Sequence, residues 1–173
     1  MNHLKETLHQ IGRLKETKRS GWLRKGIVQA ESVADHSFRC AVLALLFEER
    51  NDVDHKKLLI MALTHDLAES DSNVGDITPF DGVSTEEKHQ REKTAMEKIC
   101  QSLPGGEKIK QLWLEFEGGI SKEADIVHQI DALEMIFQAQ EYEAKYSINL
   151  SDFIETAKVK IQDPQLKNLL EQS

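Results

Sequence analysis

His65, Asp66 and Glu69 crowd into one short run of the chain, Met61-Ala-Leu-Thr-His65-Asp66-Leu-Ala-Glu69. Apolar residues at Leu58, Leu59, Ala62, Leu63 and Leu67 recur near the helical period, so the run reads as helix. Side chains three and four positions apart share a helix face, which puts all three polar groups over one patch. Burying a His, an Asp and a Glu there is costly unless they coordinate a metal or one another. Two further donors, His36 and Asp131, stand beside apolar stripes elsewhere. Two imidazoles and two carboxylates suit a borderline divalent ion such as Mn, Fe, Co, Ni or Zn. Four protein ligands around an ion that accepts about six leave positions for water and substrate oxygen, as in a hydrolytic centre. Spacing alone keeps plainer readings open: a hydrogen-bonded core histidine at 36 and a salt-bridged acid at 131.

The elements that must position these residues all read as helices. An amphipathic helix is predicted over 2–17, with Leu4, Leu8, Ile11 and Leu14 on one stripe. Ser20-Gly21 breaks it, and 22–31 reads as an irregular connection. A long helix is predicted over 33–50 behind a Ser32 N-cap, and its all-round apolar middle, Cys40 to Phe47, predicts the central helix of a bundle. The helix carrying His65 is expected over 55–70, followed by a loop over 70–82. The capping box at Ser84-Thr-Glu-Glu87 opens a charged helix to about 103, and Pro104-Gly-Gly ends it. Helices follow over 108–117, 121–146 and 151–161, with Pro164 setting off a frayed tail. Strand-like alternation is absent, so the fold class is all-α, a compact bundle of six or more helices.

The chain has 173 residues, enough for one domain with a real core, and no linker or repeat interrupts it. A net charge of −8 argues against broad nucleic-acid binding. Against that background Lys15, Lys18, Arg19, Arg24 and Lys25 form a small basic cluster fit for a phosphate. No apolar run is long enough to cross a membrane, and the start, Met1-Asn-His-Leu-Lys-Glu6, lacks the apolar stretch of a signal peptide. The latter argues for the cytoplasm. Cys40 and Cys100 lack metal-ligand spacing and read as reduced, buried thiols. His3, His9, His55, His89 and His128 read as surface histidines without a role, and Trp22 as a structural plug rather than a stacking platform.

In order, His36, His65-Asp66 and Asp131 resemble the H…HD…D signature of the HD-domain metal-dependent phosphohydrolases. Arg19-Ser-Gly-Trp22, Glu31-Ser-Val-Ala-Asp-His36-Ser, Thr64-His-Asp-Leu-Ala-Glu69, Gly75-Asp76-Ile-Thr-Pro79, Glu87-Lys-His-Gln-Arg-Glu92 and Gln129-Ile-Asp131-Ala-Leu-Glu134 look like one branch of it. That branch holds the bacterial 5′-deoxynucleotidases and their eukaryotic HD-domain relatives. The resemblance implies a single HD domain over 1–173, its motif-bearing core at 19–146 and a C-terminal helix and tail at 150–173. It implies one transition-metal ion on His36, His65, Asp66 and Asp131, catalytic acids at Glu69 and Asp76, and a second, Mg-type ion in the eukaryotic relatives. It further implies a nucleotide substrate, a homodimer, and phosphate contact by Arg19, with Trp22 and Lys25 beside the substrate. The reaction implied is removal of phosphate from (deoxy)ribonucleoside 5′-monophosphates by a metal-activated water.

Two features depart from close relatives. Glu69 and Asp76 are separated by six residues rather than four, which leaves Asp71 as an alternative acid. Gly21 stands where some relatives place an Arg directly before the Trp. Two other readings stay open: hydrolysis of a cyclic nucleotide, nucleoside triphosphate or guanosine tetraphosphate, or a non-catalytic nucleotide-binding module.

Overall fold

The structure is a computed structural model that describes residues 2–78 and 80–171. Pro79, which the sequence places in the loop after Asp76, and the last two residues of the tail lie outside the described residues. Among the described residues there are nine α-helices: α1 (Asn2–Gly12), α2 (Ser20–Arg24), α3 (Val33–Leu45), α4 (His55–Thr64), α5 (Thr85–Ser102), α6 (Gly106–Glu117), α7 (Lys122–Tyr146), α8 (Ser151–Lys158) and α9 (Pro164–Glu171). Two 3-10 turns, Arg13–Lys15 and Leu67–Ser70, complete the regular structure. Among the described residues there is no β-strand, only an isolated antiparallel bridge between Lys18 and Ser32. No described helix is long and apolar enough to cross a membrane.

The chain falls into two compact units, residues 1–38 with 63–114 and residues 39–62 with 115–173. In the first, Leu14, Val33, Leu67, Met96, Ile99 and Trp113 form the core. The α1 stripe contributes Ile11 to it, while Leu8 stays exposed. The Ser84 hydroxyl accepts the Glu87 N–H at 3.1 Å, so α5 starts where the capping box places it.

In the second unit α7 is the longest helix and the most enclosed, burying Ile126, Ile130, Leu133 and Ile136. Complete burial of each such side chain is worth about 1.5–3 kcal/mol. Ser121 caps α7 through the Ala124 N–H at 3.1 Å. The place expected for the 40–47 segment as the all-round buried helix therefore belongs to α7. The α3 segment is one-sided: Cys40, Leu43 and Phe47 are buried, whereas Val42, Leu45 and Leu46 are exposed. It also ends five residues early, at Leu45.

Other boundaries differ for local reasons. Ser20-Gly21 starts the short helix α2 instead of leaving an irregular stretch. The tail after Pro164 is helical: Asp163 accepts the Gln165 N–H at 2.9 Å and pairs with Arg50 at 2.6 Å. Gln129 of α7 accepts the N–H groups of Gln162 and Asp163 at 2.7 and 2.6 Å. Asp163 is thus an N-cap, and Pro164 sits at the first helical position, where its missing N–H costs nothing.

Glu123 anchors the start of α7. It accepts the Asp54 N–H at 2.9 Å and pairs with the Lys57 ammonium at 2.9 Å. Burial alone would raise the Glu123 carboxyl, but those two donors outweigh it and hold it below the ordinary glutamate range. Glu123→Ala is expected to cost about 2 kcal/mol in denaturant melts at neutral pH, the scale of a buried donor left unmet. Because the folded-state carboxyl ionises below the unfolded-state value near 4.5, its contribution is complete above that pH and fades as pH falls further. A difference between wild type and Glu123→Ala that is unchanged from neutral pH down to about pH 3 would rule this out.

Candidate active site

Residues 17–19 run antiparallel to 31–33, with the Arg19 N–H on the Glu31 carbonyl at 3.1 Å and the Val33 N–H on the Thr17 carbonyl at 2.9 Å. Ser32 and Asp35 cap each other reciprocally: Asp35 accepts the Ser32 N–H and hydroxyl at 2.9 and 2.7 Å and returns its own N–H at 3.2 Å. The Ser32 backbone and side-chain donors hold the Asp35 carboxyl below its usual range, against burial. This fixes the first turn of α3, and His36 on that turn is fully buried.

His65 and Asp66 do not continue α4, which ends at Thr64. They occupy a turn, with Asp66 at φ −98° and ψ 16°, before the 3-10 turn Leu67–Ser70. The predicted helix over 55–70 is corrected here. In an α-helix the Glu69 N–H would bond the His65 carbonyl, but it bonds the Asp66 carbonyl at 3.1 Å. The His65 carbonyl instead accepts the Trp113 indole N–H at 3.1 Å.

The turn brings three predicted ligands together. His36 Nε2 lies 3.3 Å from His65 Nε2, and Asp66 Oδ2 lies 3.4 Å from His65 Nε2 and 3.8 Å from His36 Nε2. Donor atoms about 3.4 Å apart are what bonds of ~2.1 Å to one ion require at tetrahedral angles. Glu69 is buried beside them, and its Oε2 has no hydrogen-bond partner among the described residues. Two converging imidazole nitrogens, a carboxylate and an orphaned buried acid oxygen fit a divalent cation. Asp131, the fourth residue of the pattern, lies half-buried on α7 in the second unit.

Arg19 brings positive charge to the same atoms. Its guanidinium donates to Asp66 Oδ2 at 3.3 Å and lies 3.7 Å from Asp76 Oδ1. Asp76 also accepts the Ser20 N–H, and its carbonyl accepts the Ser20 hydroxyl at 2.9 Å. Of the two acids left open by the longer loop, the structure gathers Asp76 and not Asp71. Asp71 turns to Asn73, accepting its N–H and side-chain amide at 2.9 Å each.

Burial drives the Glu69 carboxyl well above the usual glutamate range, and the charges of Asp66 and Asp76 push the same way against Arg19 and Lys88. Lys88 of α5 pairs with Glu92 at 3.4 Å. Burial opposes its charge, but Glu92, Glu69 and Asp66 together hold its ammonium above the ordinary lysine range. Lys88 is a site charge that spacing did not single out; the signal was its place in the Glu87–Glu92 run.

Trp22 is buried, and its indole N–H donates to Glu31 at 2.9 Å, the geometry of a plug that ties α2 to the start of α3. Lys25 is exposed where α2 ends. Arg24 pairs with Asp81 and lies over the Phe80 ring at 5.8 Å, joining α2 to the loop after Asp76. Cys40 and Cys100 are buried and outside any disulfide among the described residues, as expected, but the Cys40 sulfur lies within 4.8 Å of a ring nitrogen of both His36 and His65, a donor that spacing did not single out. His89, expected on the surface, is half-buried and stacks on Trp113.

The profile of the HD domain family matches residues 11–169. The chain is 43% identical to "5′-deoxynucleotidase hdd1" of Schizosaccharomyces pombe over 168 residues, 92% of this chain and 83% of that protein. It is 40% identical to "5′-deoxynucleotidase HDDC2" of Xenopus laevis over 164 residues, 92% of this chain and 80% of that protein. Among solved structures, the PH0347 protein of Pyrococcus horikoshii superimposes with a TM-score of 0.77 at 35% identity, covering 96% of this chain and 94% of its own. The H…HD…D order read from the sequence, the convergence of its first three members, and these matches along most of the length agree: the chain belongs to the HD-domain family.

Proposed function

We propose that the protein is a metal-dependent phosphohydrolase that removes phosphate from (deoxy)ribonucleoside 5′-monophosphates. The observation that carries this is the meeting of His36 Nε2, His65 Nε2 and Asp66 Oδ2 within 3.8 Å, with Arg19 on the same carboxylate oxygen. The relatives named 5′-deoxynucleotidases support the substrate class. His36, His65 and Asp66 would hold the cation, with Asp131 assigned as fourth ligand by the sequence pattern alone. Lewis acidity towards water and phosphate oxygen is what a divalent cation supplies there.

The protein's own groups do the rest. Arg19, and Lys25 at the end of α2, offset charge on the non-bridging phosphate oxygens. Glu69 orients the attacking water and takes its proton as the new P–O bond forms. The bond to the 5′ oxygen breaks in line; this oxygen takes up the proton that Glu69 removed from the water, relayed through Asp76, which begins and ends the step as a carboxylate beside Arg19. Trp22 fixes α2, and with it the approach to the sugar. A homodimer in the cytoplasm that takes a small-molecule nucleotide, rather than nucleic acid or membrane, completes the reading; it rests on the resemblance and the net charge of −8.

The test is phosphate release from deoxy- and ribonucleoside 5′-monophosphates, cyclic nucleotides, nucleoside triphosphates and guanosine tetraphosphate, each with Co, Mn or Mg. Monophosphates are expected to turn over fastest with a transition metal. A folded protein that frees no phosphate from any monophosphate with any ion would sink the proposal. Faster cleavage of another ester would reassign the substrate.

A further inference from the structure

We propose that Trp113 is a positioning residue for the His65–Asp66 pair, acting through the hydrogen bond from its indole N–H to the His65 carbonyl oxygen. The proposal rests on the reading of His65 and Asp66 as cation ligands. Trp113 lies on α6 and is 1% exposed, and its Nε1 reaches the carbonyl across 3.1 Å from a position forty-eight residues away in the chain. That carbonyl is the acceptor that a continuing α-helix would offer to the Glu69 N–H. With the indole donating to it, the Glu69 N–H closes instead on the Asp66 carbonyl at 3.1 Å, and the backbone tightens into a 3-10 turn.

The tightening has a consequence for ligand geometry. On a continuing helix His65 and Asp66, as sequence neighbours, would point about 100° apart. Here Asp66 takes φ −98° and ψ 16°, and its Oδ2 comes to 3.4 Å from His65 Nε2. The indole itself is braced: the His89 ring of α5 stacks on it at 6.0 Å between centroids and 14° between planes. His89 belongs to the Glu87–Glu92 run, a sequence feature for which the ligand set alone gives no use. Supporting groups of this kind, one bond removed from the ligands, commonly decide how well a metal site is preformed.

A tryptophan that merely fills the core would need its ring and not its N–H. Two replacements separate the roles. Trp113→Phe removes the donor with part of the ring. A benzothienyl-alanine introduced at position 113 keeps the bicyclic shape and puts sulfur where the N–H was. Each protein is titrated with Co²⁺, following the visible cobalt absorption, and melted without cation.

The expected result for both is Co²⁺ affinity weaker by about tenfold. The cobalt absorption should change, the KM for a deoxynucleoside monophosphate at saturating Co²⁺ should stay within about twofold, and the benzothienyl protein should melt near wild type. Wild-type Co²⁺ affinity in the benzothienyl protein overturns the inference, even if Trp113→Phe fails to fold. His65→Ala is the control on the underlying reading. If it binds Co²⁺ as wild type does, the ligand assignment falls and the inference with it. If it loses Co²⁺ while the benzothienyl protein does not, only the role of Trp113 falls.

Discussion

His65→Ala is expected to retain no divalent cation after purification and to lose at least about a thousandfold in kcat/KM, more than one oxyanion donor is usually worth. His65 Nε2 is the atom on which the cluster closes, 3.3 Å from His36 Nε2 and 3.4 Å from Asp66 Oδ2. Removing it leaves His36 Nε2 and Asp66 Oδ2 3.8 Å apart, without the atom that lies closest to both. The fold should survive. The change shortens one buried side chain, and the backbone carbonyl that Trp113 bonds is still present. Asp131→Asn is expected to lose the cation too, and that result would tie α7 to the site by experiment. Elemental analysis of both variants beside wild type, with circular dichroism as the check on folding, decides the matter. Stoichiometric metal in both folded variants would overturn the ligand set.

Much of this was legible because its causes are local. Ser84 and Ser121 cap their helices with bonds that span three residues, so a short stretch of sequence contains the whole cause. Asp163-Pro164 is equally local, yet the proline reads as a helix stop when the acid before it is overlooked. The candidate ligands stood out for a different reason: few residue types hold a metal, and their order along the chain resembles a family pattern.

What escaped depends on distant partners. Nothing within 55–70 says that the helix ends at Thr64, because the group that captures the His65 carbonyl lies on α6. The exposed side of α3 escaped for a related reason, since an apolar run looks the same whether one face is covered or all. The longer loop between Glu69 and Asp76 is resolved by its own backbone. The Asp71 carbonyl accepts the N–H groups of Val74 and Gly75 at 2.9 and 3.1 Å, Val74 is buried, and Gly75 takes φ +61°. A left-handed residue there is inexpensive only as glycine. The extra length closes into a turn and returns Asp76 to Arg19.

Glu69→Gln is expected to push activity and stability in opposite directions. If Glu69 takes the proton of the attacking water, the amide cannot, and kcat should fall by about 10²–10⁴-fold, the usual worth of a general base. In the cation-free protein the same change removes a liability. The Glu69 carboxyl is raised by burial and by the charges of Asp66 and Asp76, so the folded state keeps a proton that the unfolded chain gives up near pH 4.5. More protons bound in the folded than in the unfolded state means that stability falls as pH rises, by up to about 1.4 kcal/mol per pH unit. The fall begins as pH passes the unfolded value and stops once the folded-state carboxyl ionises. Glu69→Gln has no proton to keep and should lack that slope, leaving it the more stable protein at neutral pH without cation. Adding Co²⁺ should reverse the order, because a bound cation favours the carboxylate and expels its proton, stabilising wild type by mass action. Melting temperatures of the two proteins from about pH 5 to pH 8, with chelator and with Co²⁺, test each step. Parallel pH slopes without cation would show that Glu69 is ionised in the folded protein and remove the basis for its role as the buried base.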